Sequence, residues 1–400
     1  MAHPYSLLDR LGDRVRTQPE STALVCGDQR VSYAQLAAMA LAAHARIEAL
    51  GLPAGPVAVR AVKSARTVAL ILGCMIARRP FLLPPVDVDT ASLDTLMANS
   101  ACAGILTAEA ERGHPRPAHF VDCTPNSTRP APDRGVPGPE AVAFLLTTAG
   151  ATGPAKVVPM PVGAVDRYTD LAASRFDIRP GTVVLNYAPL HSALCMLDVW
   201  TTLKAGGTSV LVPRHRAEDG RYLVTLIREH GVEVVQSVPA LFEVLADSYG
   251  GVPFASVRRA IVTGAAIEQR VICALAALFP RAGVYNLYGC TETNSSFLHE
   301  VGVDCGPRNG LPIGKPLPGV TAMIVAEDGS VVDGPGTGEL WVHTPFQAPG
   351  YLAPPDGPAR FVRPDGEKRR FFRSGDLVRR DANGVVTLLG RDRADLVPRP

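Results

Sequence analysis

Three stretches of this sequence share one pattern, in which a short apolar strand runs directly into a loop of small residues. Residues 141–146 lead into Thr147-Thr148-Ala149-Gly150-Ala151-Thr152-Gly153-Pro154-Ala155-Lys156. Residues 182–187 lead into the turn Pro189-Leu190-His191, and Arg259-Ala260-Ile261-Val262-Thr263 into Gly264-Ala265-Ala266. Helical stretches alternate with strands earlier in the chain: residues 33–50 are Ala-rich, residues 57–61 form a short strand, and residues 64–76 are helical again. Strand and helix in alternation predict an α/β fold with mainly parallel sheets. Ligands in open α/β sheets bind outside the carboxyl ends of strands, so function is expected in the loops.

The loop ending at Lys156 has the chemistry of a phosphate cradle. Glycines let backbone N–H groups approach an anion, and the lysine adds a point charge. It is not a Walker P-loop, which needs Gly, four residues, then Gly-Lys-Ser/Thr; here Pro154 and Ala155 separate Gly153 from Lys156. Further along, Asn286-Leu287-Tyr288-Gly289-Cys290-Thr291-Glu292 brings an aromatic face, a glycine turn, a hydroxyl and a carboxylate close together. Those groups suit a base, a phosphate oxygen and a magnesium ion.

Other landmarks follow in order: Val31-Ser32-Tyr33-Ala34-Gln35-Leu36, residues 70–85, Pro189-Leu190-His191, Gly334-Pro335-Gly336-Thr337-Gly338-Glu339-Leu340, Gly350-Tyr351-Leu352, Arg373-Ser374-Gly375-Asp376-Leu377 and Gly390-Arg391. From about residue 8 to about residue 395 the chain resembles the adenylate-forming superfamily of acyl-CoA and aryl-CoA ligases, luciferases and peptide-synthetase adenylation domains. The resemblance implies that Thr148, Gly150, Thr152, Gly153 and Lys156 hold the β- and γ-phosphates of ATP. Gly264, Ala265 and Tyr288 would frame the adenine, with Asn286 and Gly289 in the same nucleotide motif. Thr291 would meet the α-phosphate, Glu292 would bind Mg2+, Asp376 would take the ribose hydroxyls, and Arg391 would approach the ribose. His191 would stand beside the acid pocket. The implied reaction is attack of a carboxylate on the α-phosphorus of ATP, giving an acyl-adenylate and pyrophosphate; catalysis rests on positioning and charge neutralisation by Lys156, His191, Thr291 and Glu292.

The sequence departs from the family pattern in ways that bear on activity. Ala149 and Ala151 stand where Ser and Thr hydroxyls are common, and Arg79-Pro80 replaces a small Ala-Gly pair. In adenylation domains for α-amino acids an aspartate pairs with the substrate ammonium; counting back from Ala205-Gly206 puts Ala193 in that slot, with Asp198 five residues away as the competing candidate. A buried unpaired ammonium is costly, so an aryl or acyl acid is favoured. Two other readings keep the nucleotide site: condensation of a different small oxyanion, and a pseudoenzyme that holds nucleotide or acyl-adenylate without turnover.

The expected organisation is a first α/β subdomain over 1–137, a second over 138–305, a small β-rich, distorted-barrel subdomain over 306–390, and a hinge remnant at 391–400. The linker before residue 140 is marked by five prolines within residues 124–139. In the resembled family a mobile, lysine-bearing domain follows the hinge, so a separate chain supplying it, or a carrier protein, is an expected partner. A net charge of +2 offers no reason to expect nucleic acid. The longest apolar stretch, residues 67–77, is too short to cross a bilayer, and the first residues lack the pattern of a signal peptide, so a cytoplasmic protein is expected. Eight cysteines without a C-x-x-C pair indicate neither a zinc site nor a disulfide framework.

Overall fold

Helix starts follow the polar caps written into the sequence. Ser32 and Gln35 form a reciprocal capping box at the head of the helix Tyr33–Ala49: Gln35 N donates to Ser32 Oγ at 3.2 Å and Ser32 N to Gln35 Oε1 at 2.9 Å. Ser64 caps Ala65–Ile76 and Asp89 caps Thr90–Asn99 in the same way, each accepting a backbone N–H of the first turn. The computed structural model describes residues 6–109, 116–125, 137–148, 155–265, 267–302, 311–353 and 359–391. They divide into two compact units.

The first unit comprises Met1–Ala217, His230–Glu233 and Ala348–Pro355 and carries two sheets. In its six-stranded sheet, Val57–Val59 lies between Ile105–Thr107 and Phe81–Leu82. The sheet runs on in parallel to Val142–Thr147 and ends antiparallel at Val157–Pro161, with His119–Phe120 at its other edge. Its core strands are mostly apolar and buried, as strands with both faces covered are; Ala58, Leu82, Leu96, Leu145 and Val157 form one buried cluster. The helices Tyr33–Ala49 and Ala65–Ile76 cross at Gly73, where a Cβ would lie 2.8 Å from that of Ala43, so only glycine permits this approach. The other sheet pairs Gln29–Ser32 with Thr22–Cys26, then Thr208–Leu211 and Val183–Asn186 in parallel.

The second unit comprises Glu218–Glu229, Val234–Gln347 and Asp356–Pro400. Val234–Ser237, Arg259–Thr263 and Gly283–Cys290 pair in parallel. Beyond Gly283–Cys290 every pairing is antiparallel, through Asn294–Val301, Pro312–Pro316, Val386–Arg391, Phe371–Arg380, Gly336–His343 and Thr321–Val325. The change of direction therefore falls at residues 286–292. Phe297, Ile313, Leu340, Val378 and Val386 fill the core of the antiparallel part, whose strand order among the described residues is an open sequence, not a closed barrel. No described helix is long and apolar enough to cross a membrane.

Candidate nucleotide and acid site

In the first unit the phosphate loop grows from an antiparallel pair whose register sets Thr147 opposite Val157. One residue further, Thr148 N donates to Lys156 O at 3.0 Å and Lys156 N to Thr148 Oγ1 at 3.4 Å, so the two residues close the base of the loop. Gly150, Thr152 and Gly153, and the substituted Ala149 and Ala151, lie outside the described residues. The Lys156 ammonium stands 5.2 Å from the centroid of the Tyr351 ring.

His191 follows a strand of the other sheet of that unit. Its turn is held by Ser192 N donating to Pro189 O at 2.9 Å and by Ser192 Oγ accepting from Leu194 N at 3.2 Å. Burial drives its pKa below the usual histidine range, with Asp87 opposing and Arg214 and Lys63 assisting, so the imidazole is neutral near pH 7. Its Nδ1 is buried without a hydrogen-bond partner.

Lys63 is a residue beside the His191 turn that the sequence reading did not single out. Its ammonium donates to Tyr187 O at 2.8 Å and Asn186 O at 3.2 Å, pinning the carboxyl end of Val183–Asn186 just ahead of the His191 turn. Burial lowers its pKa to about 8, with the charge of Asp198 opposing the shift. Asp198 is fully buried on the π-helical stretch Met196–Thr201 and accepts from Asn186 Nδ2 at 3.3 Å. Ala193 is part exposed on the preceding turn.

In the second unit the structure gathers most of the remaining candidates. Asp376 and Arg391 face each other in the antiparallel register, with Arg391 Nε 3.2 Å from Asp376 Oδ1. The Tyr288 hydroxyl donates a short hydrogen bond to Asp376 Oδ2. Burial raises the Asp376 pKa although Tyr288, Arg391 and Arg360 favour its charged form; burial and the Asp376 charge hold the Tyr288 phenol well above its ordinary value. Asp376 lies within the strand Phe371–Arg380, where Ser374 Oγ accepts from its N–H at 3.0 Å and Glu339 Oε1 accepts from Gly375 N at 3.2 Å. Gly375 has φ +75°, and a Cβ there would lie 2.7 Å from Arg360 Nη1. Glu339 is in turn held by Arg373 at 3.0 Å. Arg360, Arg373 and Glu339 thus shape the Ser-Gly-Asp segment, a support that sequence reasoning did not assign.

Gly289 meets Asn294 so closely that a Cβ would lie 2.1 Å from Asn294 O, which makes the glycine of this motif a steric necessity. The Tyr288 ring packs edge-on against Phe297, centroids 6.0 Å apart. Thr291 and Glu292 occupy the hairpin turn that follows, Glu292 only 7% exposed and Thr291 more open. Asn286 spends its amide on Pro312 O at 2.8 Å. Gly264, with φ +82°, and Ala265 follow Arg259–Thr263, whose register with Gly283–Cys290 ends at Thr263 opposite Leu287. Burial and the neighbouring Glu292 keep the Cys290 thiol protonated. No group of three or more His, Cys, Asp or Glu side chains suited to a metal is gathered among the described residues. One buried carboxylate, here Glu292, fits magnesium, which is commonly held by one or two carboxylates together with substrate phosphates.

The profile of the AMP-binding enzyme family matches residues 11–352. The chain belongs to that family. Among AMP-binding relatives it is 30% identical over 397 residues to the phenyloxazoline synthase MbtB of Mycolicibacterium paratuberculosis, covering 96% of this chain and 34% of that protein. A structure of the nonribosomal peptide synthetase FmoA3 with AMPPNP bound superposes with a TM-score of 0.87 at 26% identity, covering 97% of this chain and 43% of the other. The N-terminal subdomain of Klebsiella oxytoca NpsA, in complex with 3-hydroxybenzoyl-AMSN, shares the fold with a TM-score of 0.80 at 19% identity, covering 98% of this chain and 100% of the other. This member of the AMP-binding family thus spans about a third of the length of the first curated relative it matches.

Proposed function

We propose that the chain activates a carboxylic acid with ATP: a carboxylate oxygen attacks the α-phosphorus, the bond from that phosphorus to the bridging oxygen of the β-phosphate breaks, and pyrophosphate leaves. The observation that carries this reading is the meeting of Tyr288, Asp376 and Arg391, because it unites three sequence motifs into one polar cluster suited to a nucleoside. In this reading Asp376 accepts from the ribose hydroxyls with Arg391 alongside, and Tyr288, Gly264 and Ala265 frame the base. Thr148, Lys156 and the loop residues Gly150, Thr152 and Gly153 take the β- and γ-phosphates. Thr291 donates to the α-phosphate, where negative charge accumulates as the carboxylate approaches. Glu292 is the residue to hold Mg2+, which when bound neutralises phosphate charge. A neutral His191 beside the acid spares the attacking carboxylate a competing ion pair.

The acid itself is best read as an aryl or acyl acid without an α-amino group. Support comes from Ala193, which offers no charge at the ammonium slot, and from Asp198, which is enclosed and engaged with Asn186. A carrier-protein thiol is the proposed acceptor of the acyl group.

ATP–pyrophosphate exchange against a panel of aryl, acyl and amino acids tests the reading. Exchange that requires one acid and is lost in Glu292→Ala is the expected result. Calorimetric binding of ATP without exchange for any acid would overturn turnover in favour of a nucleotide-binding subunit, a result that the missing hydroxyls at Ala149 and Ala151 would explain.

A further inference from the structure

Lys156 is held by more than its own loop. Its backbone is pinned on both sides by Thr148, and its ammonium lies over the Tyr351 ring at 5.2 Å, within the range of about 6 Å at which a cation is attracted to an aromatic face. The residue after that tyrosine is also tied to the loop's return strand: Leu352 N donates to Val157 O at 3.1 Å. The segment Gly350-Tyr351-Leu352 is remote in sequence, yet it belongs to the same compact unit as the phosphate loop. Lys156 and Tyr351 are both part buried, so the ring restricts the lysine without closing it off from a ligand.

We propose that Tyr351 is a positioning residue for ATP, acting through Lys156. The chemistry of the contact is what suits it to that task. A carboxylate partner would neutralise the ammonium and occupy its hydrogens, and the incoming phosphates would have to displace it. A ring face orients the charge while leaving all three ammonium N–H donors for phosphate oxygens. A lysine side chain otherwise samples many rotamers, and ordering it before the ligand arrives lowers the cost of binding. The inference rests on the reading that Lys156 contacts ATP phosphates.

The test uses the whole chain and ATP–pyrophosphate exchange, comparing wild type with Tyr351→Leu, Tyr351→Phe, Lys156→Met and the Lys156→Met/Tyr351→Leu pair. Tyr351→Leu is expected to raise the KM for MgATP by about fivefold, a loss in the range of a part-exposed cation–π contact, with the KM for the acid unmoved. Tyr351→Phe, which keeps the ring, restores most of that loss. In the Lys156→Met background the leucine change has no further effect on the KM for MgATP, because the group it positions is gone. Equal KM values for wild type and Tyr351→Leu overturn the proposal. So do losses that add in the double variant, or a matching rise in the KM for the acid, since either shows a role that does not run through Lys156. If wild type shows no exchange, the activity reading fails by itself, and calorimetric titration of ATP into the same five proteins tests Tyr351 by the same pattern in Kd. Wild type binding no ATP would overturn both.

Discussion

The candidate groups of the first unit and those of the second treat their charges differently. In the first, Lys156 rests on an aromatic face and Lys63 on two main-chain carbonyls, so neither cation in these contacts spends its charge on a carboxylate. In the second, Asp376 is met on one oxygen by Arg391 and on the other by Tyr288, and Glu339 is met by Arg373. A cation held by a ring face is ready for an incoming anion. A carboxylate already satisfied by side chains must exchange partners before it can accept ribose hydroxyls, and the free energy of that exchange is subtracted from affinity. On the proposed reading, anchoring of phosphate is prepared in advance, whereas recognition of the sugar is competitive.

The hardest blow to this contrast is Asp376→Asn. Loss of the charge weakens every hydrogen bond to the ribose and leaves Arg391 facing a neutral amide, so kcat/KM for ATP in the exchange assay is expected to fall on the order of a hundredfold. A drop of only two- or threefold would remove Asp376 from the nucleotide site. Lys156→Met comes next, with a rise in the KM for ATP of roughly tenfold and a melting temperature close to wild type, because a part-exposed lysine contributes little to the fold. A large fall in melting temperature would show instead that Lys156 is a structural residue.

Lys63 sharpens the comparison through pH. Its pKa is lowered by burial from an ordinary 10.5 to about 8. Between those values the unfolded chain binds the proton and the folded chain does not, so this group's contribution to stability increases as pH rises through the window. The slope from Lys63 is at most about 1.4 kcal/mol per pH unit. Denaturant unfolding of wild type and Lys63→Met across pH 8–10.5 isolates it, and a difference between the two proteins that does not change with pH would show that Lys63 keeps its ordinary pKa.

The smallest expected effect belongs to Tyr288→Phe. Removing the hydroxyl leaves one oxygen of Asp376 without its donor at a buried position, which costs about 1 kcal/mol of stability and lowers the melting temperature by about a degree. The KM for ATP should change less than about threefold, because the ribose no longer has to displace that hydroxyl. A tenfold rise would mean that the hydroxyl itself contacts nucleotide, and the proposed exchange of partners would be wrong.

Much of the fold was legible because its signals are local. Ser32, Gln35 and Ser64 announce their helices within a turn, and the strand-to-loop junctions at Thr147 and Thr263 stand where the apolar runs end. Gly289 was legible as a turn residue, but the reason for it, the approach of Asn294, emerges only from the strand register. Asp376 was read as a ribose ligand from the motif around it, and the strand register adds that it pairs with Arg391. Lys63, Arg360 and the role of Tyr351 gave no usable sign, since their partners are distant in the chain. Ala193 was read into the ammonium slot with Asp198 as its competitor, and the fold adds that Asp198 is fully buried.

The sequence by itself therefore determined the α/β rhythm, the caps, the glycine turns and the membership of the nucleotide motifs, because each depends on a residue and its near neighbours. Tertiary structure alone decided which charges meet: Tyr288 with Asp376, Lys156 with Tyr351, Lys63 with the carbonyls of Asn186 and Tyr187. The physical reason is that a polar side chain taken from water must find a partner within about 3 Å, and which group stands at that distance is set by the packing of remote strands.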